Sequence, residues 1–329
     1  MIAIDLAKDI FHLFGEIKQS GIKVDRALKR NKLLTFTANL PKTLIVMEAC
    51  GGASYWNRRF TEQGHRVKII SPQHVKAFVG HQKNDRKDAM AIYQAVQKIG
   101  INFVAPKSID QQDMQAQHRV RERYVKQKNM CSNQIRGILL EFGICIPVGV
   151  NYISKRVPEI LEDADNELSL RTRALIQDLY EEFKQLAERV VNITKAIEVF
   201  TNQIEICREL QKLSGVGPLV ASAFWMCVGK AGNFKNGRTL SAWVGLVPRQ
   251  HSSGGKVKLM GITKRGDQYL RKLLVIAGRA QINASTRRMH KSKEDLKLLD
   301  FVDRKGSNKA CVALANKLGR HMWAVMSAF

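Results

Sequence analysis

The chain is short of acid. It carries 29 Asp and Glu against 54 Lys and Arg, a formal net charge of +25 over 329 residues. Such an excess repels itself unless a polyanion neutralises it, so nucleic acid is the default partner and an anionic membrane surface the weaker alternative. Long apolar runs are also missing: none approaches the ~18–20 residues needed to span a bilayer. The opening MIAIDLAKDIF lacks the layout of a signal peptide. No membrane association is expected. Cysteines number six and are scattered, with no CxxC pair. That pattern fits free thiols in a reducing cytoplasm better than disulfides or a zinc site. Hydrophobic residues make up 45%, which excludes a disordered chain, and the length suffices for two or three domains.

What is present is organised around residues 82–92, QKNDRKDAMAI. Asp85 and Asp88 stand three apart, ahead of residues that favour helix. At a helix N-terminus this spacing puts both carboxylates on one face, where the helix dipole favours negative charge. Taken alone, the pattern is commonly just an acidic first turn, here flanked by Lys83, Arg86 and Lys87. Two more acids at strand ends change its meaning.

Residues 2–5 read as a short buried strand ending in Asp5, residues 11–17 (FHLFGEI) as a second, and residues 22–27 as a third. A helix over 31–40 is stopped by Pro41. LIVM at 44–47 is a continuous apolar run, as in a central strand covered on both faces, and Glu48 follows it. A helix over 55–62 and a strand over 66–70 complete an α/β domain with a mixed sheet. Acids at the ends of central strands stand where such sheets place their sites.

Residues 109–142 read as a basic helix crowded with His118, Arg119, Arg121, Arg123, Lys126 and Lys128, either a solvated face or a phosphate-contacting one. Residues 143–158 break the helix. A second run, 159–213, spaces Leu168, Leu175, Leu179, Phe183, Leu186, Val190, Ile193, Ile197 and Ile204 by threes, fours and sevens. That suits an antiparallel pair, a coiled-coil seam of a homo-oligomer (dimer or tetramer), or packing within one chain. LSGVG at 213–217 resembles the turn of a helix-hairpin-helix module, in which the amides near Gly215 and Gly217 face a phosphate; glycines also simply end helices. Residues 262–274 (ITKRGDQYLRKLL) read as a basic turn, with Lys264 and Arg265, leading into an amphipathic helix. Residues 289–304 are highly charged and read as exposed, and 310–329 as a closing helix.

Four carboxylates brought to one spot repel unless cations neutralise them. Asp5, Glu48, Asp85 and Asp88 are therefore the candidate metal-binding and catalytic group, and an oxygen-only set suits Mg²⁺ or Mn²⁺. The order strand-end Asp, strand-end Glu, helix DxxD matches the RuvC-like branch of the RNase H fold.

IDLAK (4–8), MEACGG (47–52), SPQHVKAF (71–78) and KNDRKDA (83–89) resemble the DEDD transposases of bacterial insertion sequences, the family numbered one hundred and ten, which includes the Piv-type invertases. GLVPRQHSSGG (245–255) and GITKRGDQYLRKLL (261–274) resemble its second domain. The resemblance implies a RuvC-like catalytic domain over 1–146, a helical coiled-coil linker over 147–210 and a mostly helical C-terminal domain over 211–329. It places the acidic tetrad on Asp5, Glu48, Asp85 and Asp88. It places a nucleophilic serine on Ser253, with Ser252 as the substitute, and phosphate contacts on Arg249 and Lys256. It implies attack on a scissile phosphate to leave a phosphoserine link and a free 3′-hydroxyl, and a structured non-coding RNA that pairs with donor and target DNA. Family members carry more residues before the first aspartate, so the strand ending at Asp5 is expected to be short. For Ser252 and Ser253 the residues alone suggest a polar loop before a Gly-Gly turn. The rival reading of the acids is a metal-dependent junction-resolving nuclease that uses water and no serine; a second rival is a non-catalytic nucleic-acid-binding protein.

Overall fold

The computed structural model describes residues 1–78, 84–98, 100–101, 103–253 and 256–329, without the side chains of Val150, Ser253, Lys256 and Val257. Gln82, Lys83, Gly254 and Gly255 therefore lie outside the described residues. The chain divides into two units, Met1–Ser108 and Ile109–Phe329.

In the first unit the chain runs β1 (Ile2–Asp5), β2 (Ile10–Ile17), β3 (Ile22–Lys29), α1 (Arg30–Ala38), β4 (Leu44–Glu48), α2 (Ala53–Glu62) and β5 (Arg66–Ile70). The short α3 (Pro72–Val75), α4 (Asp85–Val96) and β6 (Phe103–Val104) follow. The sheet order is β3-β2-β1-β4-β5-β6. β1 pairs parallel with β4 and β4 with β5, while β2, β3 and β6 join antiparallel. The mixed sheet read from the sequence is thus present, with the two-residue β6 added at its edge.

Side-chain alternation assigns each face. Ile2, Ile4, Phe11, Leu13, Ile45 and Met47 pack with Leu33 of α1 and with Trp56 and Phe60 of α2. Ala3, Val46 and Ile70 face the other way, against Ala91, Ile92 and Ala95 of α4. Both faces being covered explains why LIVM shows no polar alternation.

The second unit holds α5 (Ile109–Leu140), α6 (Val150–Glu162), α7 (Leu170–Gln203), α8 (Glu205–Gln211), α9 (Pro218–Val228) and α10 (Gly237–Val244). A hairpin of β7 (Pro248–Ser253) and β8 (Lys256–Ile262) follows, then α11 (Gln268–Arg287), α12 (Lys293–Lys305) and α13 (Ser307–Ala328). α5 and α7 run antiparallel within the chain. Arg121 Nε donates to Thr194 Oγ1, Arg189 lies over the Tyr124 ring, and Cys131 Sγ contacts the Leu179 carbonyl, so rising numbers on one helix meet falling numbers on the other. Phe183, Leu186 and Ile197 of the seam read from the sequence are buried, whereas Leu175 is exposed.

The structure differs from the sequence reading at several points. Residues 143–158 are not a plain break, because α6 runs through Pro158. The proline removes the hydrogen bond to the Ser154 carbonyl, and that carbonyl accepts instead from Tyr180 Oη of α7 at 3.2 Å. The run 159–213 is not one helix. It is interrupted after α6, where the Arg173 guanidinium donates to the carbonyls of Ile160, Leu161 and Asp163, and Ser169 then caps α7. The stretch 289–304 is not wholly exposed. Asp295 is buried, accepting from Ser285, Arg288 and Ser292, which hold its carboxyl far below the usual range.

His118 also departs from the basic face assigned to α5. It is 1% exposed, with Nδ1 2.8 Å from Tyr269 Oη and Nε2 3.0 Å from Ser222 Oγ. Burial, and then the Arg121 charge, push its pKa down to about 4. The folded state therefore keeps His118 neutral while an unfolded chain protonates it near pH 6.5. Stability is full above pH 6.5 and falls as pH drops through the window to about 4, by roughly 3 kcal/mol for a shift of this size. Denaturant unfolding at pH 7 and pH 4.5 should show a larger loss for the natural chain than for His118→Asn, which lacks the titrating group.

Candidate metal centre and nucleic-acid face

The acidic site is built from strand register. β1 and β4 pair in parallel with Ile4 opposite Met47, so the next residues, Asp5 and Glu48, end neighbouring strands ~4.8 Å apart. Two residues back from each are Ala3 and Val46, which pack on the α4 face; alternation directs Asp5 and Glu48 to that same face. On the antiparallel side His12 of β2 stands opposite Asp5.

The apolar stripe Ala91, Ile92 and Ala95 seats α4 on this face and brings its first turn to the strand ends. Asn84 caps the helix, its side-chain oxygen accepting from Arg86 N at 3.0 Å, while Asp88 N donates to the Asn84 carbonyl at 3.0 Å. Both acids of DxxD thereby point back at the sheet. Asp5, Asp85 and Asp88 each offer a carboxylate oxygen, and these lie within 4.8 Å of one another. Glu48 adjoins Asp5 on the sheet but is not one of the three. Burial, and then the charges of Glu48 and Asp5, raise the Cys50 thiol above its usual range, so both carboxylates act on the turn after β4.

Around an octahedral Mg²⁺ opposite oxygens stand about 4 Å apart and neighbouring ones about 3 Å, so the three side chains would draw together to share one ion. Hard oxygen donors and concentrated negative charge fit a divalent cation, which would offset the repulsion among them.

Two further contacts hold the turn and were not read from the sequence. Arg86 of α4 forks onto Asp25 of β3, with Nε 3.0 Å from both carboxylate oxygens and Nη2 2.5 Å from Oδ2. This bond, before the Arg86 charge itself, holds the Asp25 carboxyl below the usual carboxylate range. His12 Nε2 lies 3.9 Å from Asp85 Oδ2. A lone histidine in a strand carries no signal, and Asp25 becomes visible only once β3 is placed beside β2.

In the second unit Arg249, Lys264 and Arg265 are exposed. Ser252 lies in β7, not in a loop, and its Oγ is 2.7 Å from Gln250 Nε2 as acceptor. Ser253 pairs with Lys256 across the hairpin through the backbone. A Gly-Gly between two short runs was the available hairpin signal. The base of the hairpin is pinned by two glycines of positive φ: a Cβ on Gly245 would sit 2.2 Å from the Arg265 carbonyl oxygen, and one on Gly266 2.0 Å from that of Trp243. Between them Lys264 takes a left-handed conformation, φ 55°, uncommon for a lysine. Gly215 turns the chain between α8 and α9 against Gln281, whose amide donates to the Ser214 carbonyl, and Gly217 caps α9. α9 itself has no basic residue and supplies much of the core.

An acidic cluster at the strand ends of a mixed sheet fits metal-assisted chemistry, and similarity to known proteins supplies the class, a transposase, which is an enzyme that cuts and rejoins DNA. Residues 3–144 match a transposase family of the DEDD type, and residues 207–294 match the transposase family IS116/IS110/IS902. The chain is 38% identical over 327 residues to the transposase for insertion sequence element IS1111A of Coxiella burnetii, covering 99% of this chain and 89% of that protein. It is 37% identical over 329 residues to the transposase for insertion sequence element IS1328 of Yersinia enterocolitica, covering 99% and 96%. The chain belongs to the IS116/IS110/IS902 family of insertion-sequence transposases. Among the described residues no helix is long and apolar enough to cross a membrane.

The Asp25–Arg86 fork should govern how well the first turn of α4 presents its acids. Groups that orient metal ligands typically change affinity 10–100-fold when removed. Asp25→Ala and Arg86→Ala should each weaken Mn²⁺ binding to the full chain by roughly tenfold, and the double variant should be no worse than either. Titration calorimetry with Mn²⁺ measures this, and unchanged affinity in both single variants contradicts it.

Proposed function

We propose that the chain moves its insertion sequence by a two-part chemistry, with a RuvC-like metal site in the first unit and a serine nucleophile in the hairpin of the second. The observation that carries the reading is the convergence of Asp5, Asp85 and Asp88 at the ends of β1 and α4. The sheet order 3-2-1-4-5 with an antiparallel second strand supports the assignment to the RNase H fold. In this reading residues 1–146 form the catalytic domain, 147–210 a helical linker and 211–329 the serine-bearing domain.

A bound Mg²⁺ or Mn²⁺ would polarise the scissile phosphate and lower the barrier to attack on it. Asp5, Asp85 and Asp88 would hold and orient that cation, joined by Glu48, which ends the strand beside Asp5. Ser253 supplies the attacking oxygen: a phosphorus–oxygen bond forms to serine, the bond to the 3′ oxygen breaks, and that oxygen leaves with the serine proton as a 3′-hydroxyl. Ser252 is the reserve candidate. Arg249, Lys256, Lys264 and Arg265, with the backbone near Gly215 and Gly217, neutralise phosphates. The +25 charge is consistent with holding a structured guide RNA together with donor and target DNA, and a homodimer or tetramer would present two ends together. The enzyme works in the cytoplasm, at the nucleoid.

Covalent capture tests the chemistry. Asp5→Asn, Asp85→Asn or Asp88→Asn should each abolish strand cleavage while leaving the fold intact, since loss of mutual repulsion does not destabilise. Ser253→Ala should still bind Mn²⁺ and DNA but give no protein–DNA adduct. An adduct in Ser253→Ala that disappears in Ser252→Ala moves the role to Ser252. Normal cleavage without an adduct in the double variant replaces this reading with a water-using nuclease.

Salt dependence tests the partner. Neutralising six or more phosphates should cost roughly a thousandfold in DNA affinity between 50 and 200 mM salt. A flat dependence would mean that the basic residues face solvent.

A further inference from the structure

The acids occupy one side of the sheet's carboxyl edge. The other side of that edge holds a cleft of about 680 Å³ that the chemistry above does not use. Its position follows from register. β2 begins at Ile10 where β1 ends, and Ile10 pairs with Lys29 at the close of β3, so both lie at the end of the sheet where Asp5 stands. α1 starts directly after Lys29, and Arg30 N donates to the Asp9 carbonyl at 2.9 Å, fastening the helix to the β1–β2 loop. The Gly-Gly turn after Glu48 opens α2, whose first turn brings Tyr55 and Trp56 to the same cleft.

The lining is unusual for a solvated rim. Tyr55 is 40% exposed and Ile10 47% exposed, although both flank a packed core. Trp56 is almost wholly buried beneath, with its ring edge-on to Tyr55 at 5.2 Å between centroids. Arg30 sits over the Trp56 ring at 5.1 Å and is tethered by Nη1 to the Lys8 carbonyl, so its charge is held at the mouth of the cleft. Lys29 adds a second cation, Asn31 an amide that can pair with a base edge, and Asp9 a carboxylate that can accept from a base amino group.

An exposed tyrosine with one tethered cation, a second cation beside it and an amide matches one ligand chemistry: an unpaired nucleobase with its flanking phosphate. We propose that this cleft takes a nucleotide of the DNA strand being cut, splayed from its neighbours and stacked on Tyr55, with Lys29 and Arg30 on the adjoining phosphate. DNA is the occupant favoured because the cleft and the acids share one sheet edge, so a strand crossing the end of β1 reaches both. The proposal rests on the acids being the cleavage site for its setting only; the stacking itself is independent of cleavage.

The test uses the full chain, EDTA, and single-stranded DNA and RNA oligonucleotides of one sequence carrying a single 2-aminopurine. Stacking on an aromatic ring quenches that base. The natural chain and Tyr55→Phe should quench the DNA probe, whereas Tyr55→Leu should lose the quench and bind roughly tenfold more weakly. Lys29→Gln with Arg30→Gln should weaken binding and flatten its salt dependence while Tyr55 still quenches at saturating protein. Undiminished quenching in Tyr55→Leu overturns the proposal. Equal or tighter Tyr55-dependent binding of the RNA probe overturns the assignment to DNA. Cleavage of the probe in EDTA would instead contradict the metal-site reading and leave the stacking result standing.

Discussion

Mutual repulsion among carboxylates is the constraint around which the first unit is built. Three oxygens within 4.8 Å do not attract one another, so the cluster exists only because other forces place it. Those forces are the β1–β4 register, which sets Asp5 beside Glu48, and the small apolar seat of Ala91, Ile92 and Ala95, which lets α4 lie close on the sheet. The Asp25–Arg86 fork then ties the turn to β3. Hydrophobic burial thus brings together carboxylates that repel one another, and a cation would remove the opposition.

The second unit solves a different problem, carrying a large positive charge on a stable frame. Its core is helical and ordinary, with α9 apolar on nearly every side and α11 and α13 packed around it. Polar groups that enter this core are neutral or fully paired, as with His118 between Ser222 and Tyr269 and Asp295 in its capping box. Among the described residues no lysine or arginine is fully buried. Lys264 and Arg265 are exposed where Gly245 and Gly266 let two backbone segments cross at the base of the hairpin with no room for a side chain.

Much of the first unit was legible in the sequence, because its signals are local. LIVM declares a strand buried on both faces, and the helix formers after DxxD declare where α4 begins. What stayed hidden depends on partners distant in sequence. Pro158 reads as a breaker until Tyr180, on another helix, takes up the carbonyl it frees. His118 reads as one more basic residue until α9 and α11 close over it. Asp25 and Arg86 are 61 residues apart, and nothing in either neighbourhood announces the pair. The β7–β8 hairpin was obscured by its polar composition, since PRQHSS has none of the β-branched and aromatic residues that mark strands.

The central claim is that Asp5, Asp85 and Asp88 share one divalent cation. Anomalous scattering from a crystal grown with Mn²⁺ reads this directly. The account predicts a manganese peak within bonding distance of all three carboxylates, absent in a crystal of Asp88→Asn. Manganese bound elsewhere in the chain, with these three carboxylates pointing apart or engaged only by protein groups, would contradict it.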